Sequence, residues 1–136
     1  MRRTILACVA LAGLALPAAA QGTDPSGMWQ SETGDTRVRI ARCGDAYCGT
    51  IVQVKGEAKD VNNPSEALRS RNLVGVRMID QIRPVQGGGF QGQLYNFRDG
   101  KTYTGKMTLK SPSALELSGC VLGGLVCRSQ TWTKVN

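Results

Sequence analysis

The stretch KTYTGKMTLK, Lys101–Lys110, alternates along its whole length between two kinds of side chain. Tyr103, Gly105, Met107 and Leu109 form one set, and the residues between them are threonines and lysines. Successive side chains of a β-strand point to opposite faces, so this pattern predicts a strand with one face in a core. Asp99-Gly100 immediately before it is a strong turn signal, which predicts a hairpin with the preceding strand.

Similar patterns occur on both sides of this strand. Seven further stretches, bounded by Gly, Pro, Asp or Asn, are predicted as strands: Gly27–Thr33, Thr36–Cys43, Tyr47–Val54, Leu73–Ile82, Phe90–Tyr95, Ala114–Cys120 and Val126–Val135. Eight consecutive antiparallel strands without a helical layer must protect their own edges, and closure into a barrel does this. We therefore predict an all-β fold, an eight-stranded up-and-down barrel, with an open sandwich as the alternative.

One predicted connection, Lys55–Asn72, is too long for a tight turn. Its segment Asn63–Arg69 is predicted to carry a short helix, because Pro64 suits a first helical turn, where its missing N–H is not needed. The other connections have hairpin length.

Four cysteines flank two of the predicted hairpins. Cys43 and Cys48 enclose a four-residue turn, and Cys120 and Cys127 enclose six residues. Strand parity places Cys43, Cys120 and Cys127 on polar, outer faces. Each pair can meet across its own hairpin, so we predict the disulfides Cys43–Cys48 and Cys120–Cys127 among the three connectivities that four cysteines allow.

The same parity turns Arg42, Arg128 and Gln130 toward the inside of the barrel. A charged group there needs a partner or a ligand. The alternative is that a guanidinium stacks over Trp29 or Trp132 and closes one end of the barrel.

The first 20 residues have the pattern of a secretory signal peptide. A basic start precedes the apolar run Ile5–Leu16, and Pro17–Ala20 ends in small residues, which predicts cleavage after Ala20. The run is too short for a membrane span. A loose match to a lipoprotein site at Ile5–Cys8 is the alternative. Residues 21–136 are then expected to form one barrel domain in the bacterial periplasm or medium, where disulfides persist.

Composition excludes several chemistries. The chain has no histidine, which removes Ser-His-Asp and Cys-His catalysis and most zinc sites. Gly87-Gly88-Gly89 lacks the following helix and lysine of a phosphate-binding loop. The predicted signal peptide carries two arginines and no acid, so the formal charge falls from +7 to +5 on cleavage. We expect no catalytic residues, no cofactor and no metal site.

Several spaced motifs resemble one family. The motifs are Gly27-Met28-Trp29, Val38-Arg39-Ile40 with Cys43-Gly44, Cys48–Val52, Asn63-Pro64 with Leu68–Arg71 and Leu73-Val74-Gly75, Asp99–Tyr103, Gly119-Cys120 and Cys127–Trp132. Together they resemble the domain of unknown function 2147 family, small exported bacterial proteins, over Gly27–Trp132. The chain departs from the family at Asn96-Phe97-Arg98, where a proline is expected after the asparagine, and this affects only a turn.

The resemblance implies a fold and supplies no activity. Members look lipocalin-like, with a Gly-x-Trp strand opening the barrel and a basic residue near the end packing on that tryptophan. Trp29 and Arg128 suit these barrel-closing places.

Two functions remain open. The first is a non-enzymatic periplasmic protein that binds a small apolar or anionic ligand in the barrel mouth, beneath the long loop. Its candidate ligand-binding residues are Asn62, Asn63, Arg69, Arg71, Tyr95 and Tyr103, with Met107 and Leu109 against an apolar body. The competing explanation is that the polar loop residues only cap the short helix and tie the loop to the barrel.

The second function is an envelope interaction or structural protein that recognises a protein partner or an acidic surface. Arg69, Arg71, Arg77 and Arg83 would form its basic face, although an ordinary solvated face has the same pattern. Nucleic acid is not an expected partner, because basic and aromatic residues are not interleaved. No membrane span is expected in the mature chain.

Overall fold

A computed structural model describes residues 9, 10, 12, 13 and 24–135. The predicted signal peptide, residues 1–20, lies mostly outside this set and stays a prediction. Within the described residues, no helix is long and apolar enough to cross a bilayer.

Eight antiparallel strands form a closed barrel in chain order. The strands are β1 (Gly27–Gln30), β2 (Thr36–Cys43), β3 (Ala46–Val54), β4 (Arg77–Pro84), β5 (Phe90–Asn96), β6 (Lys101–Ser111), β7 (Ala114–Val121) and β8 (Val126–Val135). Each strand pairs with the next, and β1 also pairs with β8, so no strand edge is left open. The predicted up-and-down barrel is confirmed, and the sandwich alternative is wrong.

The connection between β3 and β4 is longer than the sequence predicted. The prediction started β4 at Leu73, but the chain turns first, since the Val76 N–H donates to the Leu73 carbonyl and Gly75 has a φ of +98°. The connection therefore covers residues 55–76. Its predicted short helix is a single 3₁₀ turn at Glu66–Leu68.

One end of the barrel is closed around Trp29. The indole is fully buried, and its N–H donates to the Pro25 carbonyl at 2.8 Å. The ammonium of Lys134 lies 5.9 Å from the ring centroid. Gly27 leaves room for this lysine, because a Cβ there would stand 2.6 Å from the Lys134 Cε.

The cation on Trp29 is thus Lys134 and not Arg128, which the sequence placed there. The register of β1 and β8 pairs Trp29 with Lys134. Arg128 is six residues earlier on β8, roughly 20 Å away along the strand. Both residues face inward, but they lie at opposite ends of the barrel.

Inward-facing apolar side chains fill the barrel above Trp29. They include Val38, Ile40, Ile51, Ile79, Ile82, Phe90, Met107 and Leu115. Arg42, near the end of β2, is exposed at the closed end, with its guanidinium carbon 5.2 Å from the Tyr47 ring centroid.

Both disulfides have the predicted pairing. Cys43–Cys48 ties β2 to β3, and Cys120–Cys127 ties β7 to β8. The up-and-down order puts the first at the closed end and the second at the opposite end.

Candidate functional site

A cavity of about 680 Å³ opens at the end opposite Trp29. The connections β1–β2, β3–β4, β5–β6 and β7–β8 all lie at this end, which follows from the up-and-down order. Met78, Leu117 and Trp132 are buried and contribute the apolar base of the cavity. The core of the barrel is therefore solid near Trp29 and hollow toward the mouth.

The wall of the cavity combines apolar side chains with a pair of glycines. Leu94 and Phe97 come from β5 and the turn after it, and the β7–β8 hairpin adds Val121 and Val126. Two glycines, Gly105 and Gly119, are paired across β6 and β7, and Gly119 also faces Arg128 on β8. Leu94 packs over both glycines, since a Cβ at Gly105 would stand 3.2 Å from the Leu94 Cβ and one at Gly119 would stand 3.4 Å from the Leu94 Cδ2.

Arg128 and Gln130 place hydrogen-bond donors on this wall. They occupy successive inward positions of β8 and both line the cavity, which confirms the parity prediction. The Trp132 indole N–H donates to the Gln130 Oε1 at 3.1 Å. An indole N–H can only donate, so the Gln130 amide must present its oxygen to Trp132 and its NH₂ group elsewhere.

Arg128 forms no ion pair and no side-chain hydrogen bond with any residue that the structure describes. Its guanidinium and the Gln130 NH₂ group are thus donors on one strip of a mostly apolar cavity. A hydrogen-bond acceptor, above all an anion, is the group that such a strip binds.

A second arginine of the mouth, Arg98, is neutralised within the protein. It forms an ion pair with Asp35, which also accepts the hydroxyls of Ser31 at 2.9 Å and Thr36 at 3.1 Å. Burial raises the pKa of Asp35, but hydrogen bonds from Thr33 and Ser31 and the Arg98 charge outweigh it, so the pKa lies below its usual value. The pair fixes the β5–β6 turn to the β1–β2 turn.

Asp99, the other carboxylate of the mouth, is engaged by its own hairpin. It accepts the Lys101 N–H at 2.8 Å and the Tyr103 hydroxyl. The hydrogen bond to Asp99 raises the pKa of Tyr103 and keeps the phenol protonated. Arg128 is consequently the arginine of the cavity lining that has no carboxylate partner among the described residues.

The long connection is held by a buried carboxylate, Asp60. It accepts the Tyr95 hydroxyl at 2.6 Å, the Asn63 amide at 2.9 Å and the Arg71 Nε at 2.9 Å. Burial raises the pKa of Asp60, yet these hydrogen bonds lower it below its usual value on balance. Burial and the hydrogen bond to Asp60 raise the pKa of Tyr95 to about 12.

Further polar residues of the long connection also bind protein groups. The Asn62 amide donates to the carbonyls of Phe97 at 3.3 Å and Arg98 at 2.9 Å. Arg69 donates from Nε to the Asn63 carbonyl at 2.8 Å. Gly100 is needed beside this contact, because a Cβ there would come within 1.8 Å of the Asn62 carbonyl oxygen.

The six sequence-predicted ligand residues thus fall into two groups. Tyr95 and Tyr103 line the cavity, whereas Asn62, Asn63, Arg69 and Arg71 do not line it and hold the long connection in place. Met107 and Leu109 belong to the packed core region and not to the cavity lining. Gln130 is not among the predicted ligand-binding residues, although it lines the cavity. Its position two residues before Trp132 on β8 already placed it on the same inward face.

The predicted basic face is largely neutralised. Arg71 pairs with Asp60, Arg77 lies 3.5 Å from Asp80, and Arg83 lies 3.0 Å from Asp45. Three of its four arginines therefore already have a carboxylate partner.

The model of one protein family matches residues 27–134, and its description is "Uncharacterized protein conserved in bacteria (DUF2147)". This match covers almost the entire barrel. The chain belongs to the DUF2147 family. The predicted resemblance is thereby confirmed. The matched residues run from the first residue of β1 to the second-last residue of β8, so the family model covers the whole barrel.

A solved structure shows the same architecture. Protein HP1028 from the human pathogen Helicobacter pylori, which its title assigns to the lipocalin family, is similar to this DUF2147 member with a TM-score of 0.74 and 23% identity, over 84% of each chain. At that identity the likeness shows a lipocalin-like fold. No curated protein matches the sequence.

Proposed function

We propose that this protein is a periplasmic, non-enzymatic carrier of a small ligand with an apolar body and an anionic head. The observation that carries the proposal is the strip of donors formed by Arg128 and Gln130 inside the cavity. A cavity of about 680 Å³ also lies within the range of small-molecule sites, about 300–1,000 Å³.

The chemistry of the wall supports both parts of such a ligand. Trp132, Leu117 and Leu94 offer apolar surface to a hydrocarbon or ring system. A guanidinium presents a fixed fork of N–H groups that matches a carboxylate, sulfonate or phosphate. The head would then lie beside the Arg128 guanidinium and the Gln130 amide, which both line the cavity.

The periplasmic location is supported by two independent features. The first 20 residues have the pattern of a signal peptide. Two disulfides tie hairpins at opposite ends of the barrel, and such bonds persist in oxidising compartments.

The test is a displacement titration with ligands that differ only in the head group. An anilinonaphthalene sulfonate dye is bound first and is then displaced by dodecanoate or by dodecanol. Charge-assisted hydrogen bonds contribute about 1.5–3 kcal/mol, so we expect dodecanoate to bind about tenfold or more tightly than dodecanol. Replacement Arg128→Met should lower dodecanoate affinity by a similar factor and leave dodecanol nearly unchanged.

Arg39→Met is the matched control, because Arg39 is an exposed arginine whose strand position faces outward. It should change neither affinity. Equal binding of the acid and the alcohol, or equal effects of the two arginine replacements, would contradict an anion site at Arg128.

The interaction-protein alternative has no comparable support. Its basic face is paired with carboxylates at Arg71, Arg77 and Arg83.

A further inference from the structure

The tip of the β7–β8 hairpin exposes apolar side chains to water. We define the apolar tip as Val121-Leu122-Gly123-Gly124-Leu125-Val126. Leu122 is 73% exposed and Leu125 is 86% exposed, and the two valines are exposed as well. Single exposed leucines are ordinary, but four apolar side chains concentrated on one tip form a patch of the kind that marks an interaction site.

The tip is held in this conformation against a local backbone preference. Leu122 has a φ of +53°, in the left-handed region that costs a residue with a Cβ on the order of 1 kcal/mol. Cys120–Cys127 closes the base of the tip, and the Lys106 ammonium donates to the Gly124 carbonyl at 3.1 Å. A glycine or asparagine at position 122 would avoid the strain and the exposure together, so the leucine indicates a function.

The tip is also part of the cavity mouth. Val121 and Val126 line the cavity, and the leucines between them project beyond it. The tip is therefore a convex projection at the mouth, and whatever binds it must accommodate two protruding leucines.

The hairpin that carries the tip is cationic. The Lys106 ammonium lies directly behind the tip, since it donates to the Gly124 carbonyl. The sequence from Leu117 to Val135 contains no acidic residue. Carboxylates of the neighbouring turns are engaged within the protein: Glu32 accepts the Thr131 N–H, Asp35 pairs with Arg98, and Asp99 accepts the Tyr103 hydroxyl.

We propose that the apolar tip docks on an anionic phospholipid bilayer, with Leu122 and Leu125 in the interfacial region and Lys106 near the head groups. A bilayer accepts protruding apolar side chains without a preformed pocket, and basic residues at its surface add about 1 kcal/mol each when the lipid is anionic. Docking sets the cavity mouth at the membrane surface. Docking through the apolar tip does not require a ligand in the cavity.

The experiment is flotation of the protein with lipid vesicles. The probes are vesicles that contain phosphatidylglycerol and vesicles of phosphatidylcholine alone. We expect binding to the anionic vesicles, and the double replacement Leu122→Ser with Leu125→Ser should lower the partition coefficient by about tenfold or more, since binding follows buried apolar area. Binding to phosphatidylcholine vesicles should be several-fold weaker.

The matched control is Val85→Ser, a valine of the β4–β5 turn that is 40% exposed at the closed end of the barrel. It should bind like the unchanged protein. A separate variant, Leu125→Trp, reports insertion directly, because a blue shift of its fluorescence is expected with anionic vesicles only. Circular dichroism checks that the serine variant is folded.

Three outcomes would overturn the proposal. The first is absence of binding to either kind of vesicle, and the second is equal binding by the serine variant and the unchanged protein. The third is a concentration-dependent dimer that the serine replacements abolish without any vesicle binding, which would assign the tip to a second copy of the chain.

Discussion

Trp29 joins three parts of the chain at the closed end of the barrel. Its indole N–H binds the Pro25 carbonyl, its ring lies beneath the Lys134 ammonium, and its strand pairs with both β2 and β8. The side chain is fully buried. Because β1 has only four residues, this one side chain supplies much of what attaches the strand to the core.

Replacement Trp29→Ala should therefore lower the free energy of unfolding by about 3–5 kcal/mol, the usual cost of truncating a large buried ring. Urea unfolding measures it. Lys134→Met is the control, since it removes only the cation over the ring and should cost less than about 1 kcal/mol. A cost below about 1 kcal/mol for Trp29→Ala would show that β1 is not essential to the closed end.

The comparison of Arg128 with Lys134 shows what residue patterns predict and what they leave open. Alternation along β8 correctly turned Arg128 and Gln130 inward. It carries no information on height along the barrel axis, which depends on the register between β1 and β8. That register joins the first and last strands, which are far apart in the sequence, so no short-range pattern predicts it. For this reason the sequence pointed to Arg128 as the cation on Trp29, whereas the residue there is Lys134.

At the scale of elements, the connection of residues 55–76 behaves as an anchored element although it contains only one 3₁₀ turn. Asp60 collects hydrogen bonds from Tyr95, Asn63 and Arg71, and Asn62 binds the β5–β6 turn. The sequence predicted the connection and its short helix. It did not predict Asp60, because the partner Tyr95 lies 35 residues away and no spacing rule links the two.

Asp60→Asn should detach this anchor. Asparagine has nearly the same size but no charge, and one of its two polar groups is an NH₂ donor. At least one of the groups that now donate to Asp60 would then face another donor. We expect a loss of about 2–4 kcal/mol in the free energy of unfolding. Asp45→Asn is the control, because that carboxylate pairs with Arg83 at the surface, where water screens the pair, so its replacement should leave the urea midpoint nearly unchanged. Similar costs for the two variants would argue against a central role for Asp60.

At the scale of the whole molecule, stability should decline at both ends of the pH range. The pKa values of Asp35 and Asp60 are lowered by folding. Their contribution is complete above their unfolded pKa, about 4, and is lost as the pH falls through the folded values. The pKa of Tyr95 is raised to about 12, so its contribution is complete below about 10 and is lost as the pH rises toward 12.

Urea midpoints measured from acid to alkaline pH test this prediction. Asp60→Asn should flatten the acid side of the profile, and Tyr95→Phe should flatten the alkaline side. Because the Tyr95 hydroxyl donates to Asp60, each change should also weaken the opposite side of the profile, but by less. Profiles that keep the shape of the unchanged protein would mean that other groups control the pH dependence.

The architecture was the most predictable property of the molecule. Alternation in stretches such as Lys101–Lys110 is local, the hairpins are short, and open edges are costly, so eight strands in chain order already favour closure. The cavity was less predictable. Its lining combines Leu94 and Tyr95 of β5 with Arg128 and Gln130 of β8, and alternation within one strand does not reveal which residues of two distant strands lie at the same height in the barrel.

The pairing of Met28 with Val135 has a practical consequence for protein engineering. The first and last strands leave the barrel side by side at the closed end, and so does the β4–β5 turn at Val85–Gly89. A circular permutant that joins the two ends by a short linker and starts anew at Gly87 retains every strand pairing. For the same reason, a chain attached to a solid support through either end would present the cavity mouth to the solution, where dissolved molecules can reach it.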